Sequence, residues 1–324
     1  MTDVGLVRPL RIVIPLHREQ LIVRWFLQGD TLSVLTPAKL NLSLDVLGRR
    51  PDGFHDLETV MLSIQLTDRL QFSPAPSEEI QLTCSSESSR SGVSRHTLAA
   101  DDRNLVLRAA RLLRDFTGCR SGVRMELLKR IPMEAGLGGG SSDAAATLVG
   151  LNRFWKLGLS SAELHPLAAR LGSDVNFFLD SPIAAVCTGR GEQVAPIPVG
   201  QQLHFVLVKP PFGLSTADVF RRLAEQSCSG SGSTAEVRQA LSAGRIDRLG
   251  ARISNDLTEA AASLSAKLNQ ILSELAAEPV WGRGMSGTGS SCFALCRSAR
   301  QARILARRWG QRGLGQVFAV SSGV

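Results

Sequence analysis

The chain has 324 residues, a formal charge of +8, and 44% hydrophobic against 20% charged residues. That balance belongs to a globular protein of about two domains and sets aside disorder and collagen-like repetition. No uncharged apolar run reaches the roughly 18 residues of a membrane helix. With no tyrosine and only 5% aromatics, a base-stacking nucleic-acid platform is not expected, while the basic surplus suits a small anionic ligand.

Residues 1–30 contain an apolar stretch broken by Arg11, His17, Arg18, Glu19 and Arg24, so the uninterrupted core of a signal peptide is missing. They carry no motif and are expected to be an N-terminal extension of unassigned role, removable without loss. Over residues 40–46 apolar and polar side chains alternate, which predicts a half-buried strand. A turn follows at 48–53, a strand at 59–66 and a polar, Ser-rich surface loop at 83–97. Leu105, Ala109, Leu112, Leu113 and Phe116 recur at helical spacing over 104–116, and a strand at 123–127 leads to Pro132. Helices are expected from 141 to 151 and over 161–171, the latter stopped by Gly172. Prolines punctuate short strands at 181–200, and a strand at 204–208 opens the second half. Its elements are a Ser/Gly linker at 226–234, helices at 234–242 and 257–277, a second glycine loop at 282–291, a strand at 292–296 and a helix at 299–309. Six arginines fall between Arg297 and Arg312 with no acid among them. Ala299, Ala302, Ala306 and Trp309 give that helix one apolar face, so the arginines are read as its solvated face.

The six cysteines, Cys84, Cys119, Cys187, Cys228, Cys292 and Cys296, include no Cys-x-x-Cys pair, and the five histidines are scattered. Neither a zinc site nor a disulfide framework is expected. The thiols are read as reduced and buried, in a cytoplasmic protein.

Between the strand at 123–127 and the following helix lies Pro132-Met133-Glu134-Ala135-Gly136-Leu137-Gly138-Gly139-Gly140-Ser141-Ser142. Glycines let the backbone approach a ligand and aim successive N–H groups at it, and the helix N-terminus adds free donors and its dipole. Strand, glycine loop and helix start suit phosphates. Taken alone, a glycine-rich turn capped by serine accounts for the same residues. The loop lacks the Gly-Lys-Ser/Thr ending of a P-loop and the context of a dinucleotide fingerprint.

The wider phrase, continuing into Ala144-Ala145, resembles the phosphate-binding motif of the GHMP kinase superfamily, which includes galactokinase and the homoserine, mevalonate and phosphomevalonate kinases. Pro37-Ala38-Lys39-Leu40-Asn41-Leu42 is similar to its N-terminal motif, and Gly284-Met285-Ser286-Gly287-Thr288-Gly289-Ser290-Ser291-Cys292 to its C-terminal glycine motif. The resemblance spans about residues 36–296. It implies an α+β fold of two domains: an ATP-binding N-terminal domain over 31–198 and a ferredoxin-like C-terminal domain over 199–324, with the active site between them. Further phrases resemble one branch of the superfamily: Gly48-Arg49-Arg50-Pro51-Asp52-Gly53-Phe54-His55-Asp56-Leu57, Asp102-Arg103-Asn104-Leu105, Leu171-Gly172-Ser173-Asp174-Val175, and Asn255-Asp256-Leu257. That branch phosphorylates the 2-hydroxyl of a cytidine diphosphate conjugate of methylerythritol, in the non-mevalonate route to isoprenoids.

The resemblance also implies roles. Asp174 is expected as general base and Lys39 as its charged partner. Residues 132–142 are expected to cradle the phosphates of ATP, with Asn104 reaching the adenine or its ribose. Asn41 is expected to orient the substrate, Phe54 to stack on the cytosine where the family usually has tyrosine, and His55 to read the base edge. Stacking needs only a π face, so the missing hydroxyl removes one contact and keeps the platform. Phe212 and Thr216 are expected to close the cytidine pocket, and Gly287 and Thr288 to form the cleft floor beside the substrate. Mg²⁺ is implied by ATP chemistry; no carboxylate pair stands out as its ligand, and Ser142 is a candidate. No nucleic-acid or membrane partner is expected, and the chain is read as a monomer or weak homodimer.

Overall fold

The computed structural model describes residues 24–86, 103–225 and 232–323. The first part of the chain supplies β1 (Arg24–Gln28), β2 (Thr31–Arg49), β3 (His55–Ser73), β4 (Ile80–Ser86), α1 (Leu105–Thr117), β5 (Val123–Lys129), α2 (Gly139–Phe154), α3 (Ser161–Leu171), α4 (Val175–Asp180), β6 (Ala184–Gly189) and β7 (Gln193–Ile197). The rest supplies β8 (His204–Lys209), α5 (Thr216–Ala224), α6 (Thr234–Ser242), α7 (Ile246–Arg252), β9 (Ser254–Asn255), α8 (Leu257–Ser263), α9 (Ala266–Ala276), β10 (Gly282–Met285), β11 (Cys292–Cys296), α10 (Ala299–Gly310) and β12 (Gln316–Ser321). This is the mixed α+β architecture expected.

One sheet runs β1-β2-β3-β5-β4, with β6 also on β3, β7 on β6 and a short parallel β9 on β2; a second runs β10-β11-β8-β12. α1 to α4 cover one face of the large sheet, around Leu32, Val34, Leu70, Phe72, Leu113, Leu148 and Phe177. A second core joins the two sheets, where Leu40, Leu42, Val60, Leu62 and Ile64 meet Phe205, Leu207, Phe293 and Leu295. The outer face of the second sheet buries Trp309, Leu268, Ile271 and Leu257 from its helices. Each such side chain contributes about 1.5–3 kcal/mol.

β2 and β3 are each 19 residues long, and their pairing shifts register between Pro37 and Ala38. Irregular pairing is where a strand tolerates proline and re-aims its side chains. Before the shift Leu32 and Val34 face the helices; after it Ala38, Leu40 and Leu42 face the second sheet. Lys39 and Asn41 are thereby turned to the opposite side, toward α2. The half-buried strand expected at 40–46 is in fact covered on both faces. The carboxylate of Asp45 accepts the Thr234 N–H at the start of α6, Ser43 Oγ meets Thr234 Oγ1 at 2.8 Å, and Asn41 Nδ2 donates to Thr59 Oγ1.

Local signals explain the helices. The Asn104 side chain caps α1, accepting from Val106 N at 2.9 Å, and Gly118 ends it in the left-handed region. Ser160 and Glu163 form a capping box on α3, satisfying orphan N–H groups reciprocally. Several expectations need correction. Phe116 is 53% exposed rather than on the buried face of α1. α2 begins at Gly139, not Ser141. The helix expected at 257–277 is two, broken where Ser265 caps α9. Gly282–Met285 is a strand paired to β11, so the second glycine loop starts at Ser286. The loop expected from residue 83 begins after Ser86, where β4 ends; residues 87–97 of it, and 226–231 of the expected linker, lie outside the described residues. Of the five described cysteines, Cys84, Cys187, Cys292 and Cys296 are buried, and burial raises all four thiols, Cys296 to about 11.

The extension expected over 1–30 runs into the fold: β1 pairs antiparallel with β2 from Arg24↔Leu35 to Gln28↔Thr31. Trp25 packs against the helix-side core, with the Arg153 guanidinium 4.8 Å above its ring. Residues 1–23 lie outside the described part. Trp25→Ala removes a partly buried aromatic and should lower Tm by about 2–5 °C; an unchanged melt in scanning calorimetry for this variant, or for protein starting at Thr31, would show β1 to be dispensable.

Candidate active site

A cleft of about 910 Å³ opens between the two sheets and their loops, a size common for small-molecule sites. Its centre is a pair of charges. Lys39 Nζ lies 3.5 Å from Asp174 Oδ2; the lysine side chain is 4% exposed and the aspartate 27%. Lys39 also donates to Asn41 Oδ1 at 2.6 Å, and Asn41 is held by Thr59. The ammonium is thus aimed by packing and by a second acceptor. Asp174 occupies the cap position before α4 and makes no capping hydrogen bond, which leaves its carboxylate to face Lys39. The same helix carries Phe178, whose ring lies under Gly138.

Two glycine loops meet beside this pair. Lys39 N donates to Leu137 O at 2.9 Å, and Ser291 N to Ala135 O at 3.2 Å. Ser286 Oγ donates to Gly136 O at 2.8 Å and contacts Asn41 N at 3.3 Å. A Cβ on Gly136, which has φ +71°, would sit 2.0 Å from Ser286 O; one on Gly138, φ +70°, would strike Phe178 and crowd Lys39. Gly138 also caps α2 in the left-handed region. By helix geometry the first N–H groups of α2, on Gly139, Gly140 and Ser141, have no intrahelical acceptor, an arrangement suited to an anion. Ser142 Oγ is buried and, among the described residues, has no hydrogen-bond partner.

The far end of the cleft is aromatic and basic. Phe54 is 51% exposed, with the Arg190 guanidinium 4.9 Å from its ring centre. His55 stacks on Phe220 with centroids 4.6 Å apart and planes 19° off parallel. Burial, with Arg49 beside it, lowers the His55 pKa from its ordinary value. Its ring is therefore neutral at pH 7, one nitrogen donating and the other accepting. Thr216 and Thr288 hydroxyls meet at 3.2 Å across the cleft.

The cleft brings together Lys39, Asn41, Phe54, His55, Glu134, Gly136, Gly138, Asp174, Thr216, Gly287 and Thr288. Other expected residues serve around it. Ala135 and Leu137 are buried in the core shared by the sheets, Pro132 and exposed Met133 lead into the loop, and Gly139–Ser142 form the first turn of α2. Asn104 caps α1 and contacts Cys84 Sγ, and it does not line the cleft. Phe212 does not line the cleft: it packs against the outer core, and its carbonyl accepts from Lys209 Nζ and Ser290 Oγ. Phe220 stands where Phe212 was expected. Its helix was legible as Ser215-x-x-Asp218, a cap followed by an acid, and Ser215 does cap Asp218 N. Arg190 carried no signal of its own; the tight Gly189–Gly191 turn between β6 and β7 brings it in.

Comparison with known proteins gives the family. Residues 104–187 match the model of the GHMP kinases N terminal domain and residues 237–314 that of the GHMP kinases C terminal. The chain is 40% identical over 295 residues to the 4-diphosphocytidyl-2-C-methyl-D-erythritol kinase of Geobacillus kaustophilus, covering 89% of this chain and 96% of that one. It is 40% identical over 278 residues to the enzyme of that name from Pelotomaculum thermopropionicum, covering 86% and 93%. A crystal structure of 4-(cytidine 5'-diphospho)-2C-methyl-D-erythritol kinase superposes with TM-score 0.75 at 32% identity, over 90% of this chain and 99% of the other. The chain belongs to the 4-diphosphocytidyl-2-C-methyl-D-erythritol kinase family of the GHMP kinases.

Proposed function

We propose that this protein transfers the γ-phosphoryl group of ATP to the 2-hydroxyl of 4-diphosphocytidyl-2-C-methyl-D-erythritol. The observation that carries the reading is the Lys39–Asp174 pair at 3.5 Å, between an anion-binding helix start on one side and an aromatic, basic pocket on the other. Phosphoryl transfer is mainly positioning and charge neutralisation. Asp174 accepts the proton of the acceptor hydroxyl as its oxygen bonds to the γ-phosphorus and the bond to the ADP oxygen breaks. Lys39 holds the carboxylate in place and offsets charge gathering on the transferred group. The N–H groups opening α2 hold the nucleotide phosphates.

Mg²⁺ accompanies ATP and neutralises phosphate charge. Ser142 Oγ, buried without a partner, is the side chain suited to it, with phosphate oxygens and waters completing the hard-oxygen shell such ions take. No cluster of three His, Cys, Asp or Glu stands among the described residues, so the protein's share of ligands is small.

The acceptor end reads a nucleobase. Phe54 and Phe220 offer flat apolar faces, neutral His55 offers a donor and an acceptor, and Arg49, Arg190 and Arg221 line the same end, suited to a diphosphate. A mevalonate, homoserine or sugar kinase has no base to read. A domain limit near residue 198 is in keeping with the division between the two sheets, while β1, paired with β2 before residue 30, belongs with the first domain.

A coupled ADP-release assay should show turnover with the cytidylyl conjugate far above that with mevalonate, homoserine or galactose; the reverse order would sink the substrate reading. Asp174→Asn keeps shape and loses proton acceptance, so kcat should fall by roughly 10²–10⁴ with ADP affinity in calorimetry unchanged; near-normal turnover would remove Asp174 from the chemistry. Gly136→Ala should cut turnover at least about tenfold, because its Cβ would drive the two glycine loops apart. Gly158→Ala serves as its control: φ is +73° but nothing lies within 4 Å, so it should cost about 1 kcal/mol of stability and leave kinetics intact.

A further inference from the structure

A second buried lysine lies on the other side of the phosphate loop. Lys129, the last residue of β5, has a side chain only 9% exposed and is clamped between two buried carboxylates. Its Nζ donates to Asp68 Oδ2 on β3 and, at 2.6 Å, to Asp143 Oδ2 on α2. Asp143 Oδ1 accepts from Thr36 Oγ1 on β2 at 2.9 Å. Asp68 Oδ1 accepts the backbone N–H groups of Arg130 and Ile131. The cluster therefore grips the chain at both ends of the phosphate loop: at 130–131, where it leaves β5, and at 143, one turn into α2. Its ammonium sits directly beneath the loop, since a Cβ on Gly139 would lie 3.3 Å from Lys129 Nζ.

Such a cluster is an uneconomical way to stabilise a fold. Desolvating three charges costs several kcal/mol per ion, and well-packed apolar side chains commonly do as well. What ions and hydrogen bonds add is a unique geometry. An eleven-residue loop from Pro132 to Ser142 that must present backbone N–H groups to phosphates needs its two ends at a set separation, and a misplacement near 1 Å is costly to function.

We infer that Lys129, Asp68 and Asp143 form a clasp that closes the phosphate loop and positions the N-terminus of α2 for the nucleotide. The inference rests on the ATP reading above. None of the three residues lines the cleft, so they act on the nucleotide through the loop, as positioning residues.

Asp143→Ala tests it. The change frees α2 from the clasp, leaves Lys129 and Asp68 as a one-to-one pair, and fits a helix that continues Ala144-Ala145-Ala146. The KM for ATP should rise about tenfold, and the calorimetric Kd for ADP should weaken in the same proportion. The KM for the phosphate acceptor and kcat at saturating ATP should hold within about twofold. Asp143→Asn should restore the ATP KM, because its oxygen can accept from Lys129 while its amide donates to Thr36 Oγ1. Asp143→Leu should reproduce the selective rise should the alanine variant be unstable. A merely structural role would lower Tm and the active fraction without separating the two KM values. An unchanged ATP KM in folded Asp143→Ala or Asp143→Leu, an equal rise in both KM values, or failure of asparagine to rescue would overturn the clasp. An unaltered protein that binds neither ADP nor ATP would instead overturn the ATP reading, and the clasp with it.

Discussion

The site depends on a gap in one strand. On its outer edge β2 pairs with β1 up to Leu35 and with β9 from Ser43, and between them no strand among the described residues lies alongside. Buried backbone N–H groups must find acceptors, and here they find them in the two glycine loops. Lys39 N reaches Leu137 O in one, and Asn41 N reaches Ser286 Oγ in the other. Both loops are thereby drawn to the same two residues. The side chains of those residues, turned from the second sheet by the register shift at Pro37, are the ammonium that faces Asp174 and the amide whose oxygen accepts from that ammonium. One irregularity in a long strand thus brings the Lys39–Asp174 pair and the two glycine loops together.

The two buried lysines flanking α2 illustrate how environment divides the labour of identical groups. Lys129 faces two carboxylates that are almost wholly enclosed, and their charges raise its pKa despite burial. An ammonium so paired does not release its proton or move to a substrate. Burial lifts Asp143 to about 7 even beside that lysine, because one ammonium is shared between two acids. Lys39 has a single carboxylate, 3.5 Å away and partly open to the cleft. Of these two lysine clusters, it is this pair that has the access to exchange contacts with a ligand. The contrast separates holding from reacting more sharply than either residue's burial alone.

Much of this was legible in the sequence where a local signal exists. The glycine loops, the capped α1 and α3, and the Lys39, Asn41, Phe54, His55 and Asp174 positions stood out, because turn chemistry and motif phrases are local. Residues that depend on distant packing did not. The alternation at 40–46 predicts one wet face; only the arrival of α6 beneath Ser43 and Asp45 reverses that. Phe212 and Phe220 are both aromatic and eight positions apart, and α5 decides which one faces the cleft. The Lys129 cluster draws on four elements separated by up to 107 residues, and nothing local marks Asp68 or Asp143 as partners. The end of the 1–30 segment looked expendable because it has no motif, yet pairing with β2 needs only backbone.

On the proposed reading, the aromatic end of the cleft accounts for phenylalanine at position 54. At 4.6 Å the His55 and Phe220 rings leave no space for a third ring between them. A base bound as proposed would therefore lie on an outer face of that pair or on the open side of Phe54. Arg190 already covers one side of Phe54, and cation–π attraction needs the ring's quadrupole and not a hydroxyl. Stacking these groups in advance shields apolar surface before any ligand arrives, so base burial yields less than its area implies. It also lowers the ordering cost of binding. A pocket organised this way favours selectivity over raw affinity, because a ligand without a flat ring gains nothing from faces already held in place.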